Sequence, residues 1–241
     1  NPEIMFECQK ILGIPFKKRQ TKPINYLHQD SLKLLFQQPD TKTQKGRRNL
    51  TIMVLLYDTG ARIQELIDLK VGDIRLAKPA TILLTGKGNK KRYVPIMGKT
   101  CDLLKNYLEE NHLLDNGKQN YPLFYNGSRQ PFTRPGITYI LEKNLKKAKE
   151  LTPNILFPDK LKPHMMRHTK AIHLLEAGVN PIYIRDLLGH VNISTTERYA
   201  RTNSEIKRKA LESAYMEVVT QDVPGWDEDT DLLNWLREFC R

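Results

Sequence analysis

Ala80-Thr81-Ile82-Leu83-Leu84-Thr85-Gly86-Lys87-Gly88-Asn89-Lys90-Lys91-Arg92-Tyr93-Val94-Pro95-Ile96-Met97 reads as two strands around a turn. Ala80–Leu84 and Arg92–Met97 are rich in β-branched and apolar residues, and Gly86-Lys87-Gly88-Asn89 is turn chemistry. Val71–Leu76 supplies a third short strand, so one small antiparallel sheet of three strands is expected. The texture on either side is different. Asp30 or Ser31 can cap a helix through Leu32, Leu34, Leu35 and Phe36 that Pro39 stops. The polar run Thr41–Arg48 is expected to be a loop. A helix then runs from about Asn49 towards Gly60, and Ile63, Leu66, Ile67 and Leu69 resume helical spacing. Beyond the sheet, helices are expected near 99–112, 133–150, 164–177, 181–188, 194–200 and 204–219, divided by proline-containing loops. The fold class is mainly α, an α+β arrangement with a helical domain and one small three-stranded antiparallel sheet.

The chain has 241 residues, long enough for one sizeable core. Its 39% hydrophobic and 27% charged residues are those of a globular chain. Its longest apolar stretch, Ile52–Tyr57, is too short to span a bilayer, so no membrane partner is expected. No secretory signal is visible, and a start at Asn1 suggests a fragment or a processed product. Cys8, Cys101 and Cys240 are too scattered for a disulfide framework or a metal knuckle, which suits a reducing cytoplasm. The net charge of +12 favours a polyanionic partner. Residues 221–241 hold six acids against two bases, so the first 220 residues carry +16.

Four local patterns carry the chemistry. Asp58-Thr59-Gly60-Ala61-Arg62 places an arginine at a helix start after a glycine turn. Lys87 lies in the hairpin turn. Pro163-His164-Met165-Met166-Arg167-His168 puts His164 and Arg167 on one helical face. Leu187-Leu188-Gly189-His190 is followed nine residues later by Tyr199. Each pattern has an ordinary structural reading. Arg62 could merely pair with Glu65, which we read as structural, and Lys87 shares its hairpin with Lys90, Lys91 and Arg92. His164, His168 and His173 lack the His-Glu-x-x-His pattern and any nearby carboxylate or cysteine, so no metal site is expected. His168 and His173 are expected to pack or to hydrogen-bond. Tyr199 is one of ten tyrosines.

Taken in order, these patterns resemble the phage integrase family, the tyrosine recombinases, over roughly residues 27–215. The family's skeleton is Gly-x-Arg, a hairpin lysine, His-x-x-Arg, Leu-Gly-His and then a tyrosine. Met165-Met166 departs from the Asp-Leu common between its His and Arg. The resemblance implies that Arg62, Lys87, His164, Arg167 and His190 form the active site and that Tyr199 is the nucleophile. It also implies a site-specific recombinase acting on double-stranded DNA, either the integrase or transposase of a mobile element or a chromosome-resolution enzyme. A homo-oligomer is implied, a tetramer in the synaptic complex, in a bacterial, nucleoid-associated setting. Two other readings stay open: a type IB topoisomerase and a non-enzymatic basic DNA-binding module.

The implied chemistry suits these residue types. Arg62 and Arg167 present planar, permanently charged forks to the non-bridging phosphate oxygens, with His190 assisting. Tyr199 attacks and becomes a 3′-phosphotyrosine. Lys87 protonates the leaving 5′ oxygen, and His164 accepts the tyrosine proton or holds the phosphate. The phosphotyrosine conserves the bond energy, so no ATP, metal or other cofactor is expected. As a group, Lys42, Lys45, Arg47, Arg48, Lys90, Lys91, Arg92, Lys143, Lys146, Lys147 and Lys149 are candidates for DNA contact.

Three regions are expected. Residues 1–26 are the end of an N-terminal DNA-binding domain plus a basic linker, and residues 27–220 are the catalytic domain. Residues 221–241 are an acidic tail whose Leu232, Trp235, Leu236 and Phe239 form one apolar helical face. The ordinary reading docks this tail on its own domain, and the resemblance implies instead that it is exchanged between protomers.

Overall fold

A computed structural model describes residues 2–13 and 24–189 of the chain. The helices expected near 194–200 and 204–219, the tail, His190 and Tyr199 lie outside the described residues. Among the described residues, eight α-helices and three strands occur in the order α1 (Pro2–Leu12), α2 (Gln29–Phe36), α3 (Gln44–Asp58), α4 (Ile63–Ile67), β1 (Ile74–Arg75), β2 (Thr81–Thr85), β3 (Lys91–Pro95), α5 (Gly98–Glu110), α6 (Arg134–Leu151), α7 (Pro163–Glu176) and α8 (Pro181–Leu188). The mainly helical fold with one small antiparallel sheet is as the sequence implies. No helix among the described residues is long and apolar enough to cross a membrane.

Local chemistry sets the helix starts. Pro163 and Pro181 open α7 and α8, where the missing N–H costs no intrahelical bond. The Thr133 hydroxyl caps α6 by accepting from the Gly136 N–H, and the Asn180 side chain caps α8 through the Ile182 N–H. Helix α3 begins earlier than expected, at Gln44, because the Thr43 hydroxyl accepts from the Gly46 N–H. A Cβ at Gly46 would collide with the Asp40 carbonyl, so the glycine permits the tight entry. The stretch Thr41–Arg48, expected as a loop, is therefore largely the first turn of α3.

The strand expected over Val71–Leu76 is shorter than the sequence suggests. Val71–Asp73 form a 3₁₀ turn, and only Ile74 and Arg75 pair with β2. The Val71 and Gly72 N–H groups donate to the carbonyls of Tyr121 and Gln119, and the Asp73 carboxylate accepts from the Lys70 N–H. Those partners take the backbone out of strand geometry.

The β2–β3 hairpin pairs Ile82 with Val94, Leu83 with Tyr93 and Leu84 with Arg92. Directly opposed residues share a face, so Ile82, Leu84, Val94 and Arg92 point towards the core. Strand β2 lies against α4, and β3 lies against α8. Helix α3 packs against α2, α5 and α7, with Ile52, Met53, Leu55 and Leu56 fully buried.

The domain begins at a clamp on α7. The Thr169 hydroxyl accepts from the Leu27 N–H at 3.0 Å, and His173 Nε2 donates to the Leu27 carbonyl at 2.9 Å. The Tyr57 hydroxyl completes the arrangement by donating to His173 Nδ1 at 2.9 Å. His173 thus packs and hydrogen-bonds, as expected. Lys170 and Asp58, 2.8 Å apart, tie α7 to the end of α3. Helix α7 is anchored on both sides before it presents His164 and Arg167 at its start.

Candidate active site

Gly60 turns the chain between α3 and α4 with φ +57, a left-handed conformation that favours glycine. A Cβ there would collide with Leu188 Cδ2. The turn aims the Gly60 carbonyl at Arg167 Nη1, 2.7 Å away. Arg62 stands two residues on, at the N-terminus of α4. Glu65 accepts from its backbone N–H and from Nη1, both at 2.8 Å. The helix start and the guanidinium are thus held by one carboxylate. The Arg62 side chain remains 37% exposed, so one edge of the fork faces outward.

Arg167 is only 3% exposed. Besides Gly60, it donates through Nη2 to the Leu188 carbonyl. Arg62 Nη2 donates to the Gly189 carbonyl at 3.2 Å, and Arg92 Nε donates to the Leu187 carbonyl at 2.9 Å. Three consecutive carbonyls at the end of α8 are therefore capped by three different arginines. Those carbonyls lack intrahelical partners and carry the negative end of the helix dipole, so guanidinium groups suit them. Gly189 takes the left-handed cap with φ +63.

His164 is exposed at the first turn of α7. Partial desolvation, then the positive fields of Arg167 and Arg62, lower its imidazole below the ordinary 6.5. A neutral ring at physiological pH can accept a proton. The rings of His164 and His168 stack with centroids 6.4 Å apart. Among the described residues, no three histidine, cysteine or acidic side chains are grouped as metal ligands.

Lys87 is exposed in the hairpin turn. Its neighbour Gly86 seats the hairpin on the site: a Cβ there would lie 2.9 Å from Glu65 Oε1 and 3.7 Å from Arg62 Nη1. The Gly86 N–H donates to the Lys90 carbonyl at 2.8 Å and closes the turn. Lys90 and Lys91 are exposed along the same hairpin.

The structure brings Arg62, His164 and Arg167 together with the turn that leads to His190, and it puts the base of the Lys87 turn beside them. Glu65 is the structural partner expected for Arg62. It is 2% exposed and also grips Arg92, with Nη1–Oε1 at 2.9 Å and Nη2–Oε2 at 2.7 Å. Burial opposes its ionisation, yet hydrogen bonds and charge from Arg92 and Arg62 win and hold its carboxyl at about 2. Three arginines grouped as DNA candidates have internal partners. Arg92 holds Glu65, Arg47 pairs with Glu110, and Arg48 donates to the Tyr125 carbonyl and stacks on Phe132. Lys42, Lys45, Lys143, Lys146 and Lys147 are exposed.

Comparison with known proteins gives a consistent picture. Residues 25–205 match the phage integrase family. The chain is 34% identical over 199 residues to the tyrosine recombinase XerC of Staphylococcus carnosus, covering 83% of this chain and 64% of that protein. It thus spans a little under two thirds of that relative. The crystal structure of XerA recombinase superposes with a TM-score of 0.66 at 26% identity, covering 88% of this chain and 72% of the other. The XerH site-specific recombinase bound to a palindromic difH substrate in a post-cleavage complex gives 0.65 at 25% identity, covering 82% and 54%.

Proposed function

Because the chain belongs to the phage integrase family of tyrosine recombinases, we propose that it cuts and rejoins double-stranded DNA at specific sites, as the integrase or transposase of a mobile element. One observation carries this reading. Arg62 and Arg167 meet beside His164 at the end of α8, with the Lys87 hairpin seated on the same carboxylate. That set supplies fixed positive charge for a phosphodiester, a neutral base and an exposed ammonium, which are the groups an in-line displacement at phosphorus needs.

In the proposed reaction, Tyr199 Oη attacks the scissile phosphorus, forming an O–P bond while the bond to the 5′ oxygen breaks. His164 takes the tyrosine proton and Lys87 gives one to the departing 5′ oxygen. Arg62, Arg167 and His190 meet the charge on the non-bridging oxygens. A 5′ hydroxyl from a partner strand then attacks the 3′-phosphotyrosine and reverses the steps, so neither ATP nor a metal takes part.

The proposed working form is a tetramer on paired sites in a bacterial cytoplasm, associated with the nucleoid. Residues 1–26 would end an N-terminal DNA-binding domain, residues 27–220 would be catalytic, and the acidic tail 221–241 would dock on a neighbouring protomer. The test is a recombination assay with paired sites and the full-length protein, followed by sequencing of the junctions. Reciprocal junctions at a fixed position are expected. Relaxation of supercoils without strand exchange would instead mark a topoisomerase.

A further inference from the structure

Arg92 sits among exposed lysines in the sequence, yet its register sets it apart. It stands opposite Leu84 on the inward face of the hairpin, with Lys91 and Tyr93 turned to solvent, and its side chain is 13% exposed. Its planar fork is engaged at all three nitrogens. Nη1 and Nη2 hold both oxygens of Glu65, and Nε holds the Leu187 carbonyl. Gly189 packs close to it, since a Cβ at that position would come within 3.1 Å of Arg92 Cδ and Nη1.

We propose that Arg92 is a positioning residue of the cleavage site: it bolts the Lys87 hairpin, the Glu65 carboxylate that orients Arg62, and the end of α8 at Leu187–Gly189 into one rigid unit. The proposal rests on the recombinase reading. Arg92 reaches no phosphate itself and acts through Glu65 and Leu187. Glu65 accepts two hydrogen bonds from Arg92 and two from Arg62, so loss of either partner frees the carboxylate to shift and carry the other with it. Lysine cannot replace the fork, because one ammonium cannot span a carboxylate edge and a carbonyl together. A displacement of about 1 Å in a catalytic group costs about 10²-fold in rate.

The test uses the full-length protein and a nicked duplex carrying its recombination site. Single-turnover cleavage is measured at saturating protein, and DNA affinity is measured across salt concentrations. Arg92→Lys and Arg92→Gln are each expected to slow cleavage by about 10²-fold with affinity and salt slope unchanged. Glu65→Asp, which shortens the same strut from its other end, should do likewise and serves should an Arg92 variant fail to fold. Combining Arg92→Lys with Arg62→Lys should cost less than the sum of the two losses, because the Glu65 arm of Arg92 acts through the Arg62 guanidinium. Cleavage at the unsubstituted rate would overturn the proposal. So would a phosphate-contact signature, in which Arg92→Gln weakens binding and lowers the salt slope by about one while Arg92→Lys restores it. A loss that adds fully to that of Arg62→Lys would also overturn it. If the unsubstituted protein forms no covalent adduct, the recombinase reading fails, and the proposal with it.

Discussion

Replacing Glu65 with glutamine removes one negative charge from between two guanidiniums while keeping the shape of the side chain. The carboxyl is held at about 2 against an ordinary 4.5. At about 1.4 kcal/mol per pH unit, that displacement corresponds to about 3 kcal/mol of native-state stabilisation near pH 7. It agrees with the cost of about 3–5 kcal/mol for breaking a buried ion pair from one side. The side chain is 2% exposed, so solvent screening takes little of this away. Urea denaturation of Glu65→Gln near pH 7 should therefore show a loss of about 3 kcal/mol, with a melting temperature lower by about 6–12 °C. The pH dependence has a definite sign. The folded carboxyl binds its proton less readily than the unfolded one, so the stabilisation is complete above 4.5 and fades as pH falls towards 2. The gap between the two proteins should narrow across that window. A loss below about 1 kcal/mol, or a gap that stays constant as the pH falls, would refute the reasoning that Glu65 is an ionised bolt.

Other consequences concern the chemistry. Lys87→Ala should slow cleavage by about 10²-fold or more, and a 5′-phosphorothiolate, whose sulfur leaves without a proton, should restore the rate. The same pattern in Lys90→Ala or Lys91→Ala, with Lys87→Ala unaffected, would move the acid to another lysine. Because desolvation, Arg167 and Arg62 depress His164, its neutral form persists below 6.5. The acid limb of the single-turnover cleavage profile should accordingly fall below that value and vanish in His164→Gln; a limb at or above 6.5 would contradict its role as base. Gly60→Ala should cost about 2–4 kcal/mol, from the left-handed backbone and from the forced shift of Leu188. It should also slow cleavage, because Gly60 and Leu188 supply carbonyl partners of Arg167. Unchanged thermal stability would show that Leu188 yields freely.

Much of this arrangement is legible in the residues, for identifiable reasons. The turn chemistry of Gly86-Lys87-Gly88-Asn89 announces the hairpin, and Pro163 and Pro181 announce two helix starts. The spacing of Arg62 and Glu65 foretells their pairing on one helical turn. Thr41–Arg48 misleads because its charges suggest solvent, whereas the Thr43 cap and the packing of Gly46 decide in favour of helix. Arg92 alternates with Val94 and Ile96, both buried, so the strand period places it inside. The run of basic neighbours hides that signal. The capping of Leu187, Leu188 and Gly189 by three arginines has no signature in sequence, because the acceptors are backbone carbonyls that every residue carries. Only the fold brings α4, β3 and α7 to the end of α8.

The central claim is that this site makes a covalent bond to DNA through Tyr199. Incubating the full-length protein with a nicked duplex that loses its short 5′ fragment after cleavage traps the intermediate. Digestion and mass spectrometry then identify the modified residue. A 3′-phosphate linked to Tyr199 is expected, with the adduct absent from Tyr199→Phe and DNA affinity unchanged by that substitution. An equal yield of adduct from Tyr199→Phe, or a phosphate mapped to any other residue, would contradict it.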